Sequence, residues 1–173
     1  MGISLYDVSV VSFQQVLGAV AGILEKGLAH CQAKNISLPE LLETRLYPDM
    51  LPFRFQIIAV GLHSAGAIES AQAGVFKPPA GPRNQDYAGL QAVVADARAR
   101  LQKVSREAID ALQGKDVVFE LGSFKMPFTA EGFLMSFSLP NLHFHATTAY
   151  DILRMKGVPL GKRDYMGQMR LKT

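Results

Sequence analysis

Apolar residues recur at helical spacing over four long segments, and this periodicity constrains the fold more than any other feature of the sequence. In the first segment the spacing is three or four residues throughout, at Val10, Phe13, Leu17, Val20, Leu24, Leu28 and Cys31. Such spacing places apolar side chains along one stripe of an amphipathic helix, expected here from about Leu5 to Lys34. The glycines of this helix, Gly18, Gly22 and Gly27, would let a neighbouring helix or subunit approach closely.

The other three segments predict three more long helices. The second, expected from Asp49 to about Ala73, carries the stripe Leu51, Phe55, Ile58, Leu62 and Ala65. The third, capped by Asn84 or Asp86 and ended by Gly114, carries Tyr87, Leu90, Val94, Ala97, Leu101, Val104 and Ala108. The fourth is capped by Thr129 and runs through Phe133, Phe137 and Phe144 to Met155. These stripes together predict an all-α, up-down-type four-helix bundle.

Shorter signals modify this bundle. The sequence Ser37-Leu38-Pro39-Glu40 has the form of a capping box and predicts a short helix through Leu42. Glycines and prolines predict a loop from Gly74 to Asn84 that includes Gly81 and Pro82. Alternating apolar and polar residues around Leu121-Gly122-Ser123 predict a small β-hairpin between helices 3 and 4. Pro140 lies inside the fourth helix and predicts a kink near Ser136 to Leu139.

Composition narrows the class of protein. With 173 residues, of which 49% are hydrophobic, residues 1–173 are expected to form a single domain. The net charge of +3 is spread over scattered cations, which disfavours nucleic-acid binding. Cys31 is the single cysteine and excludes an intramolecular disulfide and a multi-cysteine zinc site. We see no signal peptide and no apolar run near the ~20 residues of a membrane span, and expect a cytoplasmic protein without membrane contact.

One candidate site is a metal centre built from His63, Asn141 and His145, with help from Gln56 or Asp151. Asn141 and His145 are four residues apart and share a helix face, and facing helices of a bundle commonly build metal sites. Imidazole nitrogens suit zinc, nickel or iron(II). The structural alternative makes His63 and His145 hydrogen-bonded residues of the core or of a dimer interface, and the sequence favours that alternative.

Two further groups have both a functional and a structural interpretation. Lys156, Lys162 and Arg163, with nearby glycines, either capture an anion or mark a helix C-terminus that Gly157 caps. Tyr6, Asp7, Tyr150 and Asp151 form either an acid/base cluster or a buried tyrosine–carboxylate hydrogen bond between the first and last helices. The structural interpretation is favoured for both groups. His143, two residues from His145, points to another face, and it joins Gln56, Tyr150 and Asp151 as a candidate pocket residue.

Three blocks carry a resemblance to a known family: SLYDVSV, RLYPDMLPFRFQ and PNLHFHATTAYDILRMKGVPLGKRDYMG. They resemble the signature blocks of a domain-of-unknown-function family placed among the DinB/YfiT-like four-helix-bundle proteins. The metal-dependent members of that superfamily resemble thiol-transferases and maleylpyruvate isomerases, with one histidine on the second helix and an HxxxH pair on the fourth. The resemblance places these ligands at His63, Asn141 and His145, so asparagine stands where the first histidine of the pair is expected.

Two main hypotheses of function follow. The favoured one is a helical bundle that binds a small-molecule ligand or a partner in its interior or across a homodimer interface, without a tight catalytic metal. The alternative is a DinB-like metal-dependent transferase or hydrolase that uses zinc or nickel at His63, Asn141 and His145. A third hypothesis is a structural or stress-response dimer whose role is interaction alone. Whether the protein is an enzyme stays open at this point.

Overall fold

The chain is mostly helical. The computed structural model describes residues 2–80 and 84–172, so Gly81 and Pro82 of the predicted loop lie outside the described residues. In these ranges the α-helices are α1 (Ser12–Lys34), α2 (Leu38–Glu43), α3 (Phe53–Gly61), α4 (Ala67–Ala73), α5 (Tyr87–Gln102), α6 (Arg106–Asp110), α7 (Ala130–Gly132), α8 (Leu139–Met155) and α9 (Lys162–Met166). The strands are β1 (Val75–Phe76), β2 (Asp116–Leu121) and β3 (Phe124–Thr129).

Three π-helical segments join these helices into longer runs. Asp7–Val11 continues into α1, Leu62–Gly66 joins α3 to α4, and Phe133–Ser138 joins α7 to α8. The last of these segments directly precedes Pro140, where the sequence predicts an irregular helix. Helix α1 packs against α5, α8 and α9, while α3 packs against α5 and α8. The long helical segments that the apolar stripes predict are therefore present.

The run Asp7–Lys34 lies at the centre of the packing. Its predicted stripe is buried, with Phe13, Leu17 and Leu24 fully inaccessible to solvent. In the described part of the chain, this run is long and apolar enough to cross a membrane by length and composition, with a mean hydropathy of 1.5 over its best window. The sequence-based expectation that no apolar run approaches that length was wrong, because the glycines and isolated polar residues that interrupt the stripe are too few to bring the mean hydropathy below that of a candidate span. Half of that window is buried inside the protein.

The second predicted helix begins later and buries a different face. Helix α3 starts at Phe53, since the residues before it form a turn, and Leu51 of the predicted stripe is 47% exposed. The fully buried residues are Phe53, Ile57 and Val60. The π-helical segment Leu62–Gly66 then adds a residue to one turn, so a period of 3.6 does not continue through it.

The third predicted helix is two helices. Its stripe from Tyr87 to Leu101 is buried as expected, and Asp86 caps α5 by accepting from the Gly89 amide. The chain turns after Gln102, and Ser105 caps a separate helix, α6, by accepting from the Ala108 amide. The continuous helix predicted to run to Gly114 was therefore wrong, because a serine inside the pattern starts a new helix.

The predicted hairpin is present and belongs to a larger sheet. Strands β2 and β3 pair antiparallel, and β1 pairs parallel with β2 through Val75 opposite Val118, giving the order β1-β2-β3. The predicted loop was wrong at Val75 and Phe76, because these two apolar residues follow the left-handed cap Gly74 and bury Phe76 against the core. Ser37 caps α2 and Thr129 caps α7 as predicted, but of the predicted capping box only the Ser37 half, which accepts from the Glu40 amide, forms among the described residues.

Only one of the three glycines of α1 permits a close approach within the described residues. A Cβ on Gly27 would lie 2.6 Å from the Tyr87 hydroxyl oxygen and 3.1 Å from a methyl of Leu153, whereas Gly18 and Gly22 have nothing within 4 Å. The Tyr87 hydroxyl is held in place because it donates a buried hydrogen bond of 2.8 Å to the Leu24 carbonyl. Gly27 thus lets α5 and α8 pack directly on α1.

We predict opposite effects on stability for alanine at two glycines of α1. Gly27→Ala would destabilise the fold by about 1–3 kcal/mol, because the added methyl overpacks the contact with Tyr87. Gly22→Ala, the matched control, would stabilise it by about 0.5–1 kcal/mol, because the methyl meets open space and alanine favours the helix. Urea unfolding followed by circular dichroism measures both. Equal effects of the two substitutions would contradict the packing role of Gly27.

Candidate functional site

Two polar side chains meet in the contact between α3 and α8. The Nδ1 atom of His145 lies 2.8 Å from Oε1 of Gln56, while Nε2 of Gln56 donates to the Leu51 carbonyl at 2.7 Å. Since the Gln56 side-chain nitrogen donates to the Leu51 carbonyl, the side-chain oxygen of Gln56 is the atom that faces His145. A carboxamide oxygen only accepts, so His145 Nδ1 is the donor. This assigns the Nδ1–H tautomer to the half-buried His145 and fixes the plane of its ring.

His63 lies beside this pair, on the π-helical segment between α3 and α4. Its ring centroid is 5.7 Å from that of His145, with 15° between the ring planes. The side chain is 7% exposed, and its Nδ1 has no hydrogen-bond partner among the described residues. Burial, assisted by the charge of His145 when protonated, lowers the pKa of His63 to about 4. His63 is therefore a neutral imidazole at physiological pH.

Phenylalanine rings surround both histidines. Phe76 and Phe137 contact His63 at centroid distances of 5.7 and 5.6 Å, and Phe55 and Phe144 contact His145 at 5.7 and 5.3 Å. The cluster continues through Phe119, Phe128 and Phe133 towards the sheet. Sequence reasoning missed this aromatic wall, although the i, i+4 spacing of Phe133 and Phe137 was a signal for part of it. Phe76 was not recognised as a core residue because it lies in the segment that was predicted to be a loop.

The third π-helical segment also carries an unpaired buried group. The Ser138 hydroxyl is fully buried and has no partner among the described residues, like Nδ1 of His63. Phe137, the residue before Ser138 in the chain, contacts the ring of His63. π-Helical turns are rare and occur frequently at functional sites. The combination marks this region as the strongest candidate site in the described part of the chain.

Asn141 occupies the remaining position of the predicted metal centre. It is half-buried, and its side-chain nitrogen donates to the Phe137 carbonyl, one turn earlier, at 2.8 Å. Among the described residues, no three His, Cys, Asp or Glu side chains lie together in a way that would hold a metal ion. His145 donates from Nδ1 to Gln56, so only its Nε2 could bind a metal, and the predicted centre offers two imidazoles and one carboxamide. This donor set does not fit a zinc or nickel centre of three strong protein ligands.

The other candidate pocket residues on α8 lie away from His63. His143 is exposed, and its Nδ1 is 3.0 Å from the Tyr165 hydroxyl. The half-buried Tyr150 packs edge-on against the Tyr165 ring at a centroid distance of 6.0 Å. Asp151 is half-buried one residue further along α8. Of the four candidate pocket residues, the structure brings Gln56 to the histidine pair and places His143 and Tyr150 beside Tyr165.

Within the described ranges, no tyrosine–carboxylate hydrogen bond of the predicted kind joins the first and last helical runs. Asp7 instead forms an ion pair of 2.7 Å with Arg106, which holds the pKa of that carboxyl well below its usual range. The Arg106 guanidinium also lies 4.8 Å from the centre of the Tyr6 ring. The prediction was wrong because a cation from α6, distant in sequence, competes for the same carboxylate.

The glycine-containing segment after α8 is a helix stop at Gly157, as predicted, but Lys162 and Arg163 begin the next helix, α9, and do not lie at that C-terminus. Gly157 has φ 86°, and its amide donates to the Arg154 carbonyl at the end of α8. The next short helix is held by Asp164, which accepts from the Gly161 amide at 2.7 Å and pairs with Lys26 at 2.6 Å. Gly157 therefore supplies the left-handed cap that ends α8.

Comparison with solved structures shows that the fold is similar to that of a DinB family member. The crystal structure of a DinB family member protein from Shewanella denitrificans is 26% identical in sequence and superimposes with a TM-score of 0.81. The match covers 98% of this chain and 95% of the other. A search of curated proteins found no match.

Comparison with family models agrees with the signature blocks seen in the sequence. Residues 5–166 match the model described as a domain of unknown function, DUF1993. The matched range includes α1 to α9, the sheet and the histidine pair. The chain belongs to the DUF1993 family, and its fold relates that family to the DinB proteins.

Proposed function

We propose that the protein binds a small molecule in its interior at His63, His145 and Gln56, without a tightly held catalytic metal. The observation that carries this proposal is the buried Nδ1 of His63, which has no hydrogen-bond partner among the described residues. A bound ligand would supply the missing partner. Under this proposal the four long helical runs form an up-down four-helix bundle around the site.

The unpaired Nδ1 of His63 lowers the stability of the fold. Leaving a buried donor or acceptor without a partner costs about 1–3 kcal/mol, a large share of the stability of a domain. A hydrophobic residue at position 63 would avoid this cost and pack well among Phe76 and Phe137. A histidine at this position has an evident use if its imidazole contacts a ligand, since binding sites commonly sacrifice some stability for function.

The surroundings indicate the chemistry of the ligand. His63 is neutral at physiological pH and offers one hydrogen-bonding nitrogen, while the walls are aromatic rings. A flat, uncharged molecule with a single hydrogen-bonding group suits such walls, because its faces stack on the rings and its polar atom reaches His63. Phe144 is 57% exposed beside His145 and lies where this region meets the surface.

The alternative function is a metal-dependent transferase or hydrolase that uses His63, Asn141 and His145. It is favoured by the 5.7 Å separation of the two imidazole rings and by the likeness to a DinB family member. The Asn141 amide nitrogen bound to the Phe137 carbonyl weighs against it, and so does the lack of a group of three His, Cys, Asp or Glu side chains among the described residues. The side chains present therefore support ligand binding better than metal catalysis.

The proposal extends to assembly and location. We expect a homodimer, because the fourth helical run exposes three large apolar side chains, Met135, Phe144 and Met155, each at least 50% accessible. A cytoplasmic location without membrane contact agrees with the packing of the apolar run Asp7–Lys34 against α5, α8 and α9. Nucleic acid is not an expected partner, since the net charge is only +3.

We predict that His63 makes the stability of the protein depend on pH. The folded-state pKa of about 4 lies below the ordinary value of 6.5, so the unfolded chain takes up this proton first as the pH falls. The associated stability is complete above about pH 6.5 and is lost progressively towards pH 4, by roughly 3 kcal/mol in all. Urea unfolding at several pH values measures this loss. An unchanged pH dependence in His63→Leu would contradict the assignment to His63.

We also predict that His63→Leu raises the stability of the protein and abolishes its ligand binding. The free energy of unfolding at pH 7.5 should rise by about 1 kcal/mol, because the unpaired nitrogen is removed. Thermal-shift assays with indole, phenol and benzamide as flat probes should show stabilisation of the unsubstituted protein that His63→Leu loses. His143→Leu, on the exposed face of α8, is the matched control and should keep the response. Probe stabilisation that is equal in all three proteins would contradict the site.

Metal analysis of protein purified without a histidine tag distinguishes the two functions. The proposal expects zinc and nickel far below one atom per chain, and a melting temperature that does not respond to either metal. Stoichiometric metal that disappears in both His63→Ala and His145→Ala would overturn the proposal in favour of the metal-dependent enzyme. Gln56→Ala provides a further check: it removes the hydrogen bonds to His145 and to the Leu51 carbonyl but none of the three candidate metal ligands, so it should leave the metal content unchanged.

A further inference from the structure

Two adjoining cavities lie along the contact between α1 and residues 167–172, which follow α9 and are called the tail below. They lie on a different part of the surface from the histidine pair. The larger, about 730 Å³, is lined by Gln15, Arg98 and Arg170, among others. The smaller, about 290 Å³, is lined by Gln15 and Arg170 again and by His143 and Tyr165. Because they share Gln15 and Arg170, we treat them as one feature, the tail groove.

The tail forms one wall of the tail groove, and contacts with α1 hold it in place. Gln15 donates a hydrogen bond of 2.9 Å to the Met166 carbonyl. The next residue, Gly167, has φ 61°, and a Cβ there would lie 3.2 Å from both the Ala19 Cβ and the Gln15 carbonyl oxygen. Glycine is thus required for the tail to lie this close to α1. The Lys26–Asp164 ion pair holds the preceding short helix on the same face.

The charges along the tail groove have one sign. Arg98 and Arg170 line it, and none of the described residues that line either cavity is an aspartate or a glutamate. Neither arginine forms a salt bridge with a described residue. The backbone of Arg98 is held to α1, since its carbonyl accepts from Gln14 at 2.9 Å. Guanidinium groups bind carboxylates and phosphates in bidentate fashion, so this lining suits an anion.

The same groove has an apolar side. Val11, Met169 and Leu171 line the larger cavity, and Met169 and Leu171 are 48% and 73% exposed. Apolar side chains next to two arginines suit a molecule with an anionic head and a hydrocarbon body. In the smaller cavity the Tyr165 hydroxyl lies 3.0 Å from His143 Nδ1, which adds hydrogen-bonding groups beside Arg170.

We propose that the tail groove binds a small organic anion, with its carboxylate or phosphate on Arg98 and Arg170 and its apolar body against Val11, Met169 and Leu171. This site is separate from the interior site at His63 and takes a ligand of opposite character, charged and amphiphilic instead of flat and neutral. The sequence block PLGKRDYMG, which helps to identify the family, then has a role, because it places the tail that forms one wall.

The test uses octanoate and octyl phosphate as probes, with octyl glucoside and inorganic phosphate as controls for the apolar and anionic parts alone. Binding to the full chain is followed by isothermal titration calorimetry and by amide NMR shifts. We expect saturable binding of both octyl anions, with shifts at Tyr165, Gly167 and Met169. Arg98→Gln/Arg170→Gln should weaken it at least tenfold, whereas Arg163→Gln, an exposed arginine outside the groove, should not.

Each other outcome overturns the proposal. Equal binding of octyl glucoside would show that charge plays no part, and unchanged affinity in the double variant would remove the arginines from the site. Shifts confined to the surroundings of His63 would assign the probes to the interior. Because His63→Leu should leave octanoate binding intact, failure at the tail groove is distinguishable from failure at the histidine pair. Circular dichroism of the double variant confirms that it folds.

Discussion

The central polar contact between α3 and α8 is the hydrogen bond that His145 donates to Gln56. Because Gln56 is itself held by the Leu51 carbonyl, this contact fixes the tautomer and the ring plane of the histidine. It also brings His145 to within a ring contact of His63. Every residue of the candidate interior site is positioned relative to this pair.

Asparagine at position 141 gives the chain a different arrangement from the one that its resemblance implies. The metal-dependent relatives implied by the sequence blocks would present two histidines four residues apart, whereas here the first of these positions carries a carboxamide. That carboxamide turns to the Phe137 carbonyl, next to a π-helical segment whose backbone hydrogen bonding is irregular. Asn141 therefore stabilises the local backbone, and His63 keeps a nitrogen available in the interior.

Helical periodicity predicted the long helices and most of the core of the first and third, because each apolar stripe is regular over several turns. It failed in the second helix, where Leu51 lies before the first turn and a π-helical segment changes the phase. Spacing also identified Gln56, His63 and His145 as candidate site residues, but spacing does not determine which groups these side chains contact. The aromatic wall was missed because Phe76 reaches it from a two-residue strand, and the Asp7–Arg106 pair was missed because its partners are far apart in the chain.

The π-helical segments have a consequence for how this chain tolerates insertions and deletions. Each segment holds one more residue per turn than an α-helix, and one α-helical residue corresponds to a rotation of about 100° about the axis. A deletion within Leu62–Gly66 that restored regular helix would therefore rotate all of α4 relative to α3. The π-helical segment therefore sets the rotation of α4 about the helix axis independently of α3. Gln56 on α3 can face α8, while the apolar face of α4 packs against the sheet.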